Sequence, residues 1–174
     1  VNVSARQFRQ ADFVAQVDAA LARHGADPGL LKLELTESLL LDNADDVVGK
    51  MQALREIGVR VSLDDFGTGC ASLAYLKRYP FEQLKVDRSF IREIMTNPDD
   101  AAIVMAIIAM GNTLRLSVVA EGVEENAQYD YLVRHGCRFF QGYLFGKPMP
   151  FAEFEAAFEP FLSPKIESVD DWAI

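Results

Sequence analysis

The sequence predicts an α/β fold built on a parallel sheet, and three observations carry that reading. Hydrophobic periodicity switches between two and three-to-four residues along the chain, giving six strands, each followed by a helix. Strict βα alternation is what parallel strands joined by helical crossovers require. At the C-terminal end of each strand the side that faces away from the apolar set carries a polar residue, where parallel α/β folds gather their ligand groups.

The elements follow in order. Val1–Ser4 reads as the end of a strand. Phe13, Val14, Val17, Ala20 and Leu21 form a helical stripe that stops at His24-Gly25. Leu31, Leu33 and Leu35 alternate with Lys32, Glu34 and Thr36 in a strand. A helix from about Asn43 carries Val47, Val48, Met51, Leu54 and Ile57, and Gly58 closes it. Val59, Val61 and Leu63 alternate with Arg60, Ser62 and Asp64, and a loop of Asp65-Phe66-Gly67-Thr68-Gly69 leads into a short helix over Ser72–Tyr79. Leu84 and Val86 against Lys85 and Asp87 make the next strand. Asn97-Pro98-Asp99-Asp100 opens a long helix through Leu114. A strand over 115–121, a helix over 125–135, a short strand around Arg138–Gly142 and a helix near 151–161 complete the chain.

Composition narrows the function. The 174 residues are 50% hydrophobic and 25% charged, enough for one domain with a sizeable core. A net charge of −9 offers no electrostatic grip on DNA or on an anionic membrane surface. Residues 162–174 read as an acidic tail behind that domain. The longest apolar run, Ala101–Met110, is about half of the ~20 residues a membrane span needs. Two cysteines, Cys70 and Cys137, make no disulfide framework and fit a reducing, cytoplasmic setting. Both read as small buried fillers. His24 and His135 each precede a glycine at a helix end, where an imidazole suits the terminal carbonyls. Trp172 reads as part of a loosely packed end, and the Met and Ile stripe over 103–110 as core or interface.

The strand-end polar residues are Asn2, Glu34, Asp64, Lys85 with Asp87, Glu121 and Gln141. If those ends converge, five carboxylates including Asp65 crowd around one lysine. Carboxylates so placed protonate or bind a cation. Oxygen ligands without Cys or His point to Mg²⁺ or Mn²⁺. Such a site suits a phosphate ester, with two metal ions sharing a carboxylate and water attacking phosphorus in line; Asp64 is the natural bridge.

At these residues the chain resembles a known family. Leu33-Glu34-Leu35-Thr36-Glu37-Ser38, Asp64-Asp65-Phe66-Gly67-Thr68-Gly69, Leu84-Lys85-Val86-Asp87, Ala120-Glu121-Gly122-Val123-Glu124 and Gln141-Gly142-Tyr143 look like the successive motifs of EAL domains, bacterial phosphodiesterases of cyclic di-GMP. The opening Asn2-Val3-Ser4 resembles the family's Asn-x-Ser motif. The likeness runs in order from residue 1 to about 160, so that 1–161 reads as the domain. It implies a TIM-like (β/α)₈-type barrel that opens cyclic di-GMP to linear pGpG. By the resemblance, Asn2, Glu34 and Asp64 match ligands of one metal, and Asp64, Asp65 and Glu121 surround the second. Lys85 matches the lysine that holds the attacking water, Glu121 also a candidate general base, and Gln141 a residue near that water or the substrate. Glu37 matches the glutamate that anchors the loop of Asp65, Phe66, Gly67, Thr68 and Gly69, which couples metal binding to contacts in a homodimer. Asp87 and Glu124 stand in matching motifs in supporting or substrate-binding positions.

One motif departs. No Glu-Ala-Leu occurs, although its Glu is a metal ligand in the family; Glu155-Ala156-Ala157 lies in the terminal helix. A complete barrel typically takes about 250 residues, so six βα units amount to most of one. The expectation is a domain truncated before its first strands, preceded in the parent by a sensory or GGDEF-type domain, with little turnover of its own. Two functions fit: a metal-dependent phosphodiesterase, or a catalytically silent module that binds cyclic di-GMP or serves as a scaffold.

Overall fold

Five strands lie side by side in a single parallel sheet whose spatial order is their order in the chain. The structure is a computed structural model and describes residues 1–41, 44–69 and 73–162. A capped turn of helix, α1 (Ala5–Phe8), is followed by α2 (Phe13–His24), β1 (Lys32–Thr36), α3 (Ala44–Glu56), β2 (Arg60–Phe66) and α4 (Leu73–Arg78). Then come β3 (Gln83–Val86), α5 (Arg88–Arg92), α6 (Pro98–Leu114), β4 (Ser117–Glu121), α7 (Asn126–Arg134), β5 (Phe139–Gln141) and α8 (Phe151–Leu162). The result is a partial barrel of α/β class.

The strand end expected over Val1–Ser4 is present as one parallel bridge between Asn2 and Glu34. Val3 N donates to Glu34 O at 3.0 Å and Glu34 N to Val1 O at 2.9 Å. Pairing stops there because Ser4 is already a helix cap: its hydroxyl accepts from Gln7 N, and the Gln7 amide reaches back to Ser4 N. The strand expected over 115–121 begins two residues later, because Arg115 takes left-handed backbone at the end of α6. The sequence pattern missed α1, α5 and the 3₁₀ turns Pro28–Leu30 and Glu37–Leu41, all too short to show a period. Asn43, Cys70, Ser72 and Trp172 lie outside the described residues, as does the tail beyond Leu162.

The two faces of the sheet differ as the alternation requires. Leu33, Leu35, Val61, Leu63, Leu84, Val86, Val118 and Ala120 are buried against the helices. Each large aliphatic side chain among them contributes about 1.5–3 kcal/mol by leaving water. Helix α6 seats Val104, Ile107, Ile108 and Gly111 on this layer. Gly111 is required there, since a Cβ would stand 2.2 Å from Val118 Cγ2. The opposite face carries polar residues even where it is buried, with Val119 as an apolar member. Gln83 Oε1 accepts from Lys32 Nζ at 3.1 Å and from the fully buried Ser62 hydroxyl at 3.3 Å. These groups form a satisfied polar layer beneath the strand ends. Cys137 is buried as expected, and His135 Nδ1 lies 2.7 Å from Tyr131 O at the end of α7.

Candidate functional site

Glu34, Asp64, Lys85 and Glu121 come from four neighbouring strands and meet on the polar face of the sheet. The Lys85 ammonium lies 2.6 Å from Glu121 Oε1, 3.0 Å from Glu34 Oε2 and 3.1 Å from Asp64 Oδ1. Lys85 is only 4% exposed. Burial alone would lower its pKa, but the hydrogen bonds to Glu121 and Glu34 and the charge of Glu121 overturn that, so it is held protonated far above the ordinary lysine value. One cation among three carboxylates leaves the cluster net negative. Burial, with Asp64 and Glu34 beside it, therefore pushes the Glu121 carboxyl up in spite of its short contact with Lys85.

Asp64 and Asp65 are consecutive in a strand, yet both reach the site. Leu63 pairs with Leu84 and Phe66 with Val86, so β2 holds one residue more than β3 between the two pairs. This bulge, with Asp65 at φ 54°, undoes the alternation that would turn one carboxylate away. Carboxylate oxygens of Asp64, Asp65 and Glu121 all lie within 4.8 Å of one another. Burial is the main cause of a raised Asp65 pKa, reinforced by the charges of Asp64 and Asp87 and a hydrogen bond with Asp87. Burial also acts against Asp87, but its hydrogen bonds with Ser89 and Asp65 and the Arg88 charge hold its carboxyl below the ordinary value. Asp87 Oδ1 accepts from Ser89 N at 2.9 Å and so caps α5.

The donor set fits a hard divalent cation. Three carboxylate oxygens converge, and the buried Asp64 Oδ1, although near Lys85, has no properly aligned hydrogen bond. Asn2 stands in register with Glu34 beside this cluster, and Gln141 with Glu121 on its other side. Asp65, Asp87, Glu121, Glu124 and Gln141 border an open cleft of about 570 Å³. Tyr143, from the Gln141-Gly142-Tyr143 motif, also lines it, and so does Arg88, which the sequence pattern did not single out. Arg88 directly follows a strand-end Asp, which is the signal that could have found it. Gln128 was missed as well: buried, its Oε1 accepts from Glu124 N and Glu125 N while its Nε2 donates to Ile91 O.

The loop after β2 is held from beneath. Glu37 is buried, and its Oε1 accepts from Gly67 N at 2.9 Å. Thr68 Oγ1 donates to Asp65 O at 2.9 Å, and Phe66 is buried in the core. Gly67 has φ 100°, and a Cβ there would meet Phe90 Cε2 at 3.0 Å; at Gly69 it would stand 2.2 Å from Glu37 Oε2. Glu37→Ala removes the acceptor that holds the Gly67 amide. Hydrogen exchange should then speed up about tenfold or more at the Gly67 amide, since a hydrogen bond to a charged group is worth ~1.5–3 kcal/mol. Unchanged exchange at Gly67 would show that the loop is held by other contacts.

Comparison with known proteins places the chain. The EAL domain family model matches residues 1–148. The bifunctional diguanylate cyclase/cyclic di-GMP phosphodiesterase MucR of Pseudomonas aeruginosa is 52% identical over 150 residues, covering 86% of this chain and 22% of MucR. The chain spans about a fifth of the length of the curated relatives it matches. A solved structure of the PaMucR phosphodiesterase with c-di-GMP superimposes with a TM-score of 0.85 at 51% identity, over 88% of this chain and 62% of the other. The Klebsiella pneumoniae BlrP1 manganese/cy-diGMP complex superimposes with a TM-score of 0.78 at 32% identity, over 85% and 38%. With its motifs in order and its polar strand ends gathered into one cluster, the chain belongs to the EAL domain family.

Proposed function

We propose that this chain carries most of the site of a metal-dependent phosphodiesterase that hydrolyses cyclic di-GMP to linear pGpG. The observation that carries the reading is the Lys85 ammonium buried among Glu34, Asp64 and Glu121, with Asp65 alongside, at the mouth of an open cleft. Asp64, Asp65 and Glu121 would hold one Mg²⁺ or Mn²⁺ ion, and Asn2, Glu34 and Asp64 a second. When bound, such ions polarise a phosphoryl oxygen and acidify water at neutral pH. Manganese with cy-diGMP in the BlrP1 structure supports this ligand class.

The protein's own part is positional and electrostatic. Lys85 stays protonated, so it acts as a donor that orients the attacking water and faces the negative charge that develops on phosphorus. Glu121, with its raised pKa, takes the proton as the water oxygen bonds to phosphorus. The P–O3′ bond breaks, and the proton taken up by Glu121 is returned by way of solvent to the departing oxygen, which leaves linear pGpG and restores the carboxylate. Glu37 fixes the loop that carries Thr68 into the cleft. Gln141 and Glu124 border the space for the dinucleotide. A homodimer and a second domain in the parent polypeptide belong to the same proposal; the diguanylate cyclase activity in MucR's name supports the latter.

The same acidic cluster and cleft also fit a second reading, a module that binds cyclic di-GMP without turning it over. Incubation with cyclic di-GMP and Mn²⁺, followed by chromatography for pGpG, separates the two. The comparison is between this chain and a longer polypeptide that adds a Glu-Ala-Leu segment. The expected result is strong turnover by the longer form and little by the 174-residue chain. Binding without pGpG from either form would replace the hydrolase reading with the binding module.

A further inference from the structure

At the opposite ends of the strands that carry Glu121 and Gln141 lies a second pocket, about 170 Å³ in volume. Asn112, Arg115, Ser117 and Arg138 line it, and no carboxylate does, in a chain with 26 acids against 17 bases. Among the described residues neither guanidinium has an ion-pair or hydrogen-bond partner, and neither do the Asn112 amide and the Ser117 hydroxyl. Both arginines are exposed, so water screens their repulsion, and an anion between them would gain from both charges at once.

Helix capping does not account for the pair. Helix α6 is closed by Arg115 N on Asn112 O at 3.2 Å and Leu116 N on Gly111 O at 2.9 Å. Helix α7 is closed by Gly136 N on Val133 O and Cys137 N on Leu132 O, both at 3.0 Å. The backbone satisfies these carbonyls itself. Arg115 also holds left-handed backbone at φ 61°, where Gly25, Gly58 and Gly136 follow α2, α3 and α7. Glycine would hold that conformation more cheaply, by about 1 kcal/mol. The residue at 115 is thus explained by its side chain.

We infer that this pocket is an oxyanion site of phosphate size. Arg115 and Arg138 supply charge-assisted hydrogen bonds, and Asn112 and Ser117 supply neutral donors. It takes a phosphate ion or one phosphoryl group, not a whole cyclic dinucleotide, and it is independent of the phosphodiesterase reading.

The test titrates the ¹⁵N-labelled chain with inorganic phosphate, and separately with GMP, at an ionic strength held constant with NaCl. Expected are saturable amide shifts over Arg115–Val118 and Gly136–Phe139. A response to both probes marks a phosphoryl-group site; a response to phosphate alone marks a site for the free ion. Arg115→Gly preserves the left-handed backbone and so leaves thermal stability equal or higher, and Arg138→Gln removes the other charge. Each should weaken phosphate binding about tenfold. The proposal fails if chloride produces the same shifts, if phosphate shifts only the Asp64–Gly69 end, or if both variants bind phosphate like the parent.

Discussion

Lys85→Met should lower turnover of cyclic di-GMP by about a thousandfold, measured in a polypeptide competent for hydrolysis, and added Mn²⁺ should not restore it. Removal of one well-placed donor to developing charge typically costs 10²–10³ in rate, and Lys85 also orders the three carboxylates of the proposed metal site. The same change separates the catalytic role from the structural one. In metal-free protein it strands Glu34, Asp64 and Glu121 without their cation, which by analogy with broken buried pairs costs about 3 kcal/mol. The fold raises the lysine pKa, so its stabilising contribution is complete below the ordinary value of 10.5 and is lost only as pH rises past the folded value. The variant's deficit is therefore present at neutral pH. It should shrink in acid, as the carboxylates protonate, and Mn²⁺ should offset it by taking the ammonium's place. Stability that returns with Mn²⁺ while activity does not is the expected pair of results. Turnover within tenfold of the parent would remove Lys85 from the machinery.

What could be read from the sequence, and what could not, follows from the range of the forces involved. The five strands and the longer helices were legible because burial on one face imposes a period, as in Leu33-Glu34-Leu35 or across Val104, Ile107, Ile108 and Gly111. Glu34, Lys85 and Glu121 were legible because each is a charged residue on the face opposite the apolar set, near a strand's C-terminal end. The geometry behind other features was not. Asp65 was read into the site from its place beside Asp64, but its parity is wrong, and only the bulge in β2 accounts for how it reaches the cluster. The Lys32–Gln83–Ser62 layer reads as ordinary polar strand positions until register places the side chains together. The strand end read over Val1–Ser4 pairs with β1 only as far as Val3, because Ser4 serves a local cap.

The bulge makes the opposite trade testable: Asp65→Asn should stabilise the metal-free protein while cutting turnover about a hundredfold or more. Asn is among the few residues that accept left-handed backbone, so the φ of 54° is kept. What disappears is a charge that burial and the neighbouring Asp64 and Asp87 already disfavour. The sign follows from linkage. A carboxyl whose folded pKa lies above its unfolded value of 3.8 binds more protons in the native state across that interval. Stability therefore falls as pH rises through the interval, and the full cost persists at neutrality. The gain from Asn should be largest near pH 7 and should vanish below the ordinary carboxylate range. Mn²⁺ should reverse the order, because the parent's Asp65 then contributes ligand energy that an amide supplies poorly. Thermal melts at pH 7 and pH 3.5, each with and without Mn²⁺, check all four combinations. A variant less stable than the parent at pH 7 without metal would mean that Asp65 earns its place by structure, and the reading of it as a strained ligand would fall.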